Sequence, residues 1–416
     1  MEQCSGVRAN LVRTDKFKTN MLGVFFSVPM TLENASVNAL IPAVLRRGTN
    51  NYPTMKEISK RLEELYGAKF DCGVSKKGDI QVIRFYGEIV NRKFVGESRD
   101  ILSEFADVIK DVIFNPILDN GKFKEDYVRQ EKEQVKDIIE SRKNDKVQYA
   151  LERCFEIMFD NEPYGVSEFG TVESVDKVNV EELTAAYFNM LKNYQVDIVM
   201  TGDITDEEFN GIVSKFSFEP RHKLVMPSNN EVHPENIKNT TEAFDINQGK
   251  LSLGYRVNVD VSTDDYYKML VYNGILGGGV QSKLFQNVRE KNSLAYYAFS
   301  RFDKIKTVMG ISCGIEIPNY KKALDTILEQ VEDMKNGNIS EYEYNTTLKT
   351  LENSLNSMRD EQAQILDFNY SQILTGSNRT LEEVISNMKK VTISDVIDVA
   401  GKVELDTIYF MTGKQA

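Results

Sequence analysis

The chain repeats itself once. Val178-Asn-Val-Glu-Glu-Leu, which reads as a helix, runs into the strand-like Val196-Asp-Ile-Val-Met-Thr-Gly202. Much later Val391-Thr-Ile-Ser-Asp-Val runs into Thr407-Ile-Tyr-Phe-Met-Thr-Gly413 in the same way. Ser59-Lys-Arg-Leu before Gly67-Ala68 likewise parallels Ser282-Lys-Leu-Phe before Leu294-Ala295. A period of roughly 210 to 220 residues is too long for a solenoid and means a duplicated domain. A chain of 416 residues leaves each copy room for a substantial core. Both copies mix strands with long helical runs in hairpin-like order, so the predicted class is α+β with mainly antiparallel sheets.

Periodicity predicts strands over 11–14, 21–28, 68–75, 80–86 and 195–201, and helices over 34–48, 54–66, 94–114 and 123–159, with another from Asn179. In the 34–48 segment Val37, Leu40, Ile41, Val44 and Leu45 form a helical stripe. Arg46 and Arg47 suit its C-terminal dipole, and Gly48 suits the position past its end. Pro42 inside it removes a backbone donor and is expected to kink it. Residues 219–242 are polar, aperiodic and carry three prolines, the pattern of a linker. The expected domains are therefore 1–218 and 243–416. The second restarts with a strand over 250–257 and a helix over 264–276, followed by strands near 307–316 and helices over 320–388.

Ile275 to Tyr297 carries the densest local pattern. Gly277, Gly278 and Gly279 let backbone turn sharply or approach another chain. Ser282 reads as the N-cap of a short helix with Leu284, Phe285 and Val288 on one face. Asn292 and Ser293 end it, and a strand starts at Leu294. Arg289 near the helix end and Tyr296 early in the strand then stand side by side on one wall. By residue type alone, this also describes an ordinary helix–strand corner.

Arg289-Glu-Lys-Asn-Ser-Leu-Ala-Tyr296, after the glycines and Ser282-Lys-Leu-Phe, resembles the C-terminal half of the pitrilysin/insulinase family, zinc metallopeptidases bearing H-x-x-E-H. The similarity runs over nearly the whole chain. It implies two homologous α+β domains facing each other across a cleft. It also implies that Arg289 and Tyr296 hold a peptide's backbone and scissile carbonyl. Alignment on Gly48-Thr49 places Ala39, Pro42 and Ala43 where the motif has His, Glu and His. The third ligand position falls on Ile138, or on Asp137 with one residue of slip. Neither alanine can ligate a metal and Pro42 has no carboxylate. The only histidines, His222 and His233, lie in the linker. The resemblance thus implies a non-catalytic subunit with no metal or other cofactor of its own. Its Arg289/Tyr296 pair serves the zinc site of a homologous partner carrying H-x-x-E-H, and Gly277 to Gly279 leave room for peptide or partner backbone. The alternative is a purely structural or peptide-binding relative, as the core subunits of the respiratory cytochrome complex are to this family.

Other classes fit poorly. A net charge of -12 opposes binding to nucleic acid or anionic membrane. No apolar run approaches the roughly 18 residues of a membrane span, and the first residues lack a signal-peptide core. The four cysteines are scattered without a C-x-x-C pair, so reduced thiols and a cytoplasmic location are expected. The triple glycine matches no phosphate-loop motif, and no G-x-S-x-G elbow is present.

Overall fold

The computed structural model describes residues 2–96, 98–226 and 231–414. The first half runs β1 (Glu2–Cys4), β2 (Val7–Arg13), β3 (Thr19–Pro29), α1 (Leu32–Leu45), α2 (Met55–Glu64), β4 (Lys69–Lys77), β5 (Ile80–Val90) and α3 (Ile101–Phe114). It continues with the short β6 (Leu118–Asp119) and β7 (Lys122–Phe123), then α4 (Glu125–Ser141), α5 (Lys146–Met158), α6 (Val172–Lys177), α7 (Val180–Asn193), β8 (Gln195–Gly202) and α8 (Asp206–Lys215). The second half runs β9 (Lys238–Phe244), β10 (Gly249–Val257), α9 (Asp265–Gly277), β11 (Ala295–Asp303), β12 (Val308–Ile315) and α10 (Tyr320–Lys335). It ends with α11 (Glu341–Met358), α12 (Gln362–Thr375), α13 (Leu381–Met388), α14 (Ile393–Ala400) and β13 (Val403–Gly413). Among the described residues no helix is long and apolar enough to cross a membrane.

The duplication is visible in the sheets. Sheet 1 has the order β1-β2-β8-β3-β5-β4 and sheet 2 the order β11-β12-β10-β13-β9. Read backwards, sheet 2 follows the same path as β2-β8-β3-β5-β4. Each has one parallel pair, β2 with β8 and β13 with β9, and its other pairs are antiparallel. The fold is α+β, two copies of one sheet-and-helix plan.

The compact units depart from the linear halves. One comprises Met1–Glu140, Val166–Pro227 and Met358–Gly376; the other comprises Ser141–Gly165, Ser228–Ser357 and Ser377–Ala416. The expected division into 1–218, linker 219–242 and 243–416 is corrected accordingly: α5 packs with sheet 2 and α12 with sheet 1. Ala150 and Cys154 of α5 are buried with Tyr409 and Met411 of β13. Leu366, Tyr370 and Leu374 of α12 are buried with Met21, Phe25 and Val199. Beyond α5, Glu162 pairs with Arg256 and Lys306 at 3.0 and 2.8 Å, and Arg256 also reaches Asp406 at 2.9 Å. The Arg256 guanidinium lies 4.2 Å from the centre of the Phe159 ring.

Two further expectations change. The run 123–159 is two helices, because Asp145 accepts hydrogen bonds from the amides of Val147 and Gln148 and so caps a new start. The linker ends earlier, since β9 pairs with β13 from Lys238 to Phe244. Helix α1 stays helical through Pro42, its N-terminus fixed by a Thr31–Asn34 capping box. Its predicted stripe of Val37, Leu40, Ile41, Val44 and Leu45 is buried as expected. Gly48 has φ +155° and a Cβ there would stand 2.5 Å from the Pro53 carbonyl oxygen, so backbone proximity explains the residue.

Candidate functional site

Ala39, Pro42 and Ala43 lie together on α1, with Ala39 and Pro42 buried. The Pro42 carbonyl accepts from the Arg46 amide at 3.2 Å and from the Cys72 thiol at 3.3 Å. Burial pushes that thiol up to about 12, so at neutral pH it is not a thiolate ligand. Ile138 is 42% exposed and carries no donor atom. One turn beyond Pro42, two guanidiniums converge on α4. Arg47 reaches the carboxylate of Glu131 at 3.1 Å and Arg46 reaches it at 3.6 Å. Glu131 is only 2% exposed, and these two cations face its carboxylate. Among the described residues no group of three His, Cys, Asp or Glu is placed to hold a metal ion. The residues at the motif positions do not fit zinc: Ala39, Pro42, Ala43 and Ile138 offer methyl groups, a proline ring and an aliphatic side chain. The Arg46–Glu131–Arg47 triad was not legible in advance, although Glu131 heads the very register used to place Ile138.

The second candidate lies in sheet 2 and the helix before it. Arg289 sits on a wide π-helical segment, Leu284–Lys291, a geometry found often at functional sites. Ser282 precedes it and accepts weakly from the Phe285 amide at 3.4 Å. The Arg289 guanidinium packs 4.5 Å from the Phe285 ring centre and lies 3.5 Å from Glu290. Tyr296 falls where the β11–β12 register slips, between Ala295 and Tyr297. This bulge re-aims a side chain that regular pairing would place otherwise. Both side chains reach solvent, Arg289 at 42% and Tyr296 at 50%, and no hydrogen bond or ion pair joins them. The Tyr296 phenol donates to Glu316 at 3.0 Å, and that carboxylate raises its pKa above the ordinary phenol value. Glu316 and its link to Tyr296 escaped the sequence reading.

Of the three glycines, Gly277 belongs to the helix, while Gly278 and Gly279 form the bend that follows it. Gly277 ends α9 and Gly278 caps it. A Cβ on Gly277 would stand 2.3 Å from the Ser300 amide nitrogen. The space that glycine leaves is filled by β11.

A family model described as "Peptidase M16 inactive domain" matches residues 177–351. A relative from Bacillus subtilis (strain 168), "Probable inactive metalloprotease YmfF", is 33% identical over 411 residues, covering 99% of this chain and 96% of the relative. A solved structure of a conserved protein from Enterococcus faecalis V583 superposes with a TM-score of 0.92 at 33% identity, covering 100% of this chain and 98% of that one. A solved M16 inactive domain from Pseudomonas fluorescens shares the fold, with a TM-score of 0.81 at 19% identity over 100% and 98% of the two chains. The full-length match to an inactive metalloprotease and the motif positions filled by Ala39, Pro42 and Ala43 agree: this chain is a member of the M16, or pitrilysin/insulinase, peptidase family, and a homologue without the family's zinc motif.

Proposed function

We propose that this chain is the non-catalytic subunit of a heterodimeric M16 peptidase, working in the cytoplasm and holding no zinc of its own. The observation that carries the reading is an asymmetry of loss. The metal positions hold Ala39, Pro42 and Ala43, yet Arg289 and Tyr296 stay exposed on a π-helix and a bulge, conformations that cost stability and are kept where a side chain must be aimed. In this reading the partner brings H-x-x-E-H and the zinc, and Arg289 and Tyr296 donate to the peptide carbonyl as negative charge develops on it. Tyr296 must leave Glu316 to do so, an exchange of one acceptor for another.

The test is coexpression with an H-x-x-E-H homologue from the same genome, followed by purification and peptide-cleavage kinetics. A one-to-one complex is expected, with zinc in the partner only. Arg289→Ala and Tyr296→Phe should leave it assembled and lower turnover on the order of 10²–10³-fold, while Tyr342→Phe, at a residue 70% exposed elsewhere, should leave it unchanged. The competing reading is a scaffold or peptide-binding homologue, favoured by the internal partners of both groups, Glu316 for Tyr296 and Phe285 for Arg289. An intact complex with wild-type kinetics in both variants would establish the scaffold.

A further inference from the structure

One face of sheet 2 buries an ammonium group without a protein anion. Lys250 on β10 is 8% exposed, and no carboxylate among the described residues lies within ion-pairing distance of it. Its nearest polar partner is the Gln248 side-chain oxygen, at 3.4 Å. The sheet register sets its surroundings. Lys250 stands opposite Gly314, and Ser252 stands opposite Ser312. Side chains two apart on a strand share a face, so Lys250, Ser252 and Ser312 all point the same way. Tyr297 lies over them: its ring fills the space above Gly314, and Lys250 Nζ is 5.8 Å from its centre. Ser252 and Ser312 are fully buried, yet neither hydroxyl has a protein hydrogen-bond partner. The Tyr297 hydroxyl approaches Ser312 without forming a well-directed hydrogen bond.

The nearby acids are committed elsewhere. Asp145 caps α5 through the Val147 and Gln148 amides, and Glu316 accepts from Tyr296. Cys313 is on the same strand as Ser312, and burial pushes its thiol up to about 12, so it is neutral. Over β10 and β12, α5 presents apolar groups: Leu151 and Phe155 lie over Gly310, and Cys154 lies over Gly254, while its Arg153 and the Tyr409 hydroxyl take up Glu242 of β9. Burying a lysine and two hydroxyls under such a helix costs free energy unless a complementary group completes them.

We propose that Lys250, with Tyr297, Ser252 and Ser312, forms a carboxylate-binding subsite beside Tyr296. The ammonium supplies the charge and the hydroxyls supply donors to the two oxygens. Gln248, exposed and reaching Tyr296 as well, marks where the niche meets the surface that carries Tyr296. The carboxylate is the C-terminal α-carboxylate or an acidic side chain of a bound peptide; only this peptide origin rests on the function proposed above.

Two probes test the site with the full-length chain. Sodium acetate is titrated at constant ionic strength while the ring resonances of carbon-13-labelled tyrosine are followed, Tyr297 being assigned with Tyr297→Phe. A saturable shift at Tyr297 is expected, absent in Lys250→Met and partly kept in Lys250→Arg. No saturable shift, or the same shift in Lys250→Met, overturns the site whatever peptides do. Random hexapeptide pools, one with free C-termini and one amidated, are then retained on immobilised protein and read by mass spectrometry. Retention of the free acids roughly tenfold tighter, lost in Lys250→Met, identifies the α-carboxylate. Enrichment of Asp and Glu in the amidated pool identifies a side chain. Equal retention without acidic enrichment overturns the peptide origin. An acetate shift with no peptide retained supports the site and overturns the peptide-holding function instead.

Discussion

The α12-covered face of sheet 1 and the α5-covered face of sheet 2 share one architecture and differ in chemistry. On β3, Met21 and Phe25 join Val82, Val199 and three α12 side chains in a closed apolar cluster. Its charged group and its central serine are paired, while the buried Thr201 hydroxyl opposite Met21 has no partner. Ser27 meets the Tyr370 hydroxyl at 2.7 Å, and Arg8 grips Asp197 with two hydrogen bonds of 2.6 and 2.9 Å. Burial raises the Asp197 carboxyl and the Arg8 guanidinium opposes that rise. On the corresponding strand β10 the same face carries Lys250, Ser252 and Gly254, and α5 answers them with alanine, leucine and cysteine. Burial is not intrinsically costly to a polar group; the cost depends on what the covering helix offers. One face spends its composition on stability, and the other keeps groups that stability alone would remove.

Importing the lysine into the dry face should produce the largest effect. Met21 is 6% exposed among aliphatic neighbours, so Met21→Lys should destabilise its unit by about 3 kcal/mol or more. Two compact units need not unfold together, so the loss is best read as faster amide exchange in β3 and β8. Exchange at the wild-type rate would mean that the two faces do not differ as described. A smaller loss tests the pairing: Tyr370→Phe leaves the Ser27 hydroxyl, in a residue 2% exposed, without its partner and should cost about 1 kcal/mol. The smallest change should carry the opposite sign. Lys250→Met makes β10 resemble β3 and should stabilise sheet 2 by up to about 1 kcal/mol.

Acidity sharpens that last case. Burial holds the Lys250 ammonium below the ordinary lysine pKa, so the unfolded chain binds its proton more tightly than the folded one. The penalty is therefore fully present at neutral pH and fades as pH rises through the depressed value toward the ordinary one. The stability gap between wild type and Lys250→Met should narrow over that alkaline window. A gap that stays constant there would show that Lys250 does not titrate as a buried cation.

Local signals in the chain were legible and remote ones were not. The stripe on α1, the helix starts at Thr54 and Asn179, and the repeated Thr-Gly strand ends follow from neighbours a few residues apart. Once the family resemblance placed the motif at 39, 42 and 43, its loss was equally plain, since an alanine side chain carries no donor atom for a metal. The break before Asp145 stayed hidden because charged helix faces continue on both sides of it. Strand β9 was missed because an edge strand with half-buried alternation resembles a polar linker. Lys250-Leu-Ser-Leu alternates like a strand with one wet face. Nothing local announces that residues 146–158 will cover that face. Burial of Lys250 and the two exchanged helices belong to long-range packing, which periodicity does not encode.

That exchange makes the order of synthesis unequal for the two sheets. Sheet 2 is made after its cover, since α5 ends at Met158 and β10 starts at Gly249. Sheet 1 receives its last strand at Gly202 and its cover starts only at Gln362, about 160 residues later. At roughly 5–20 residues per second, that is a delay on the order of 10–30 s. For that interval Met21, Phe25, Val82 and Val199 face the surroundings on a nascent chain, the kind of surface that chaperones bind. The unit whose finished core is dry is thus the one that waits longest, uncovered, at the ribosome.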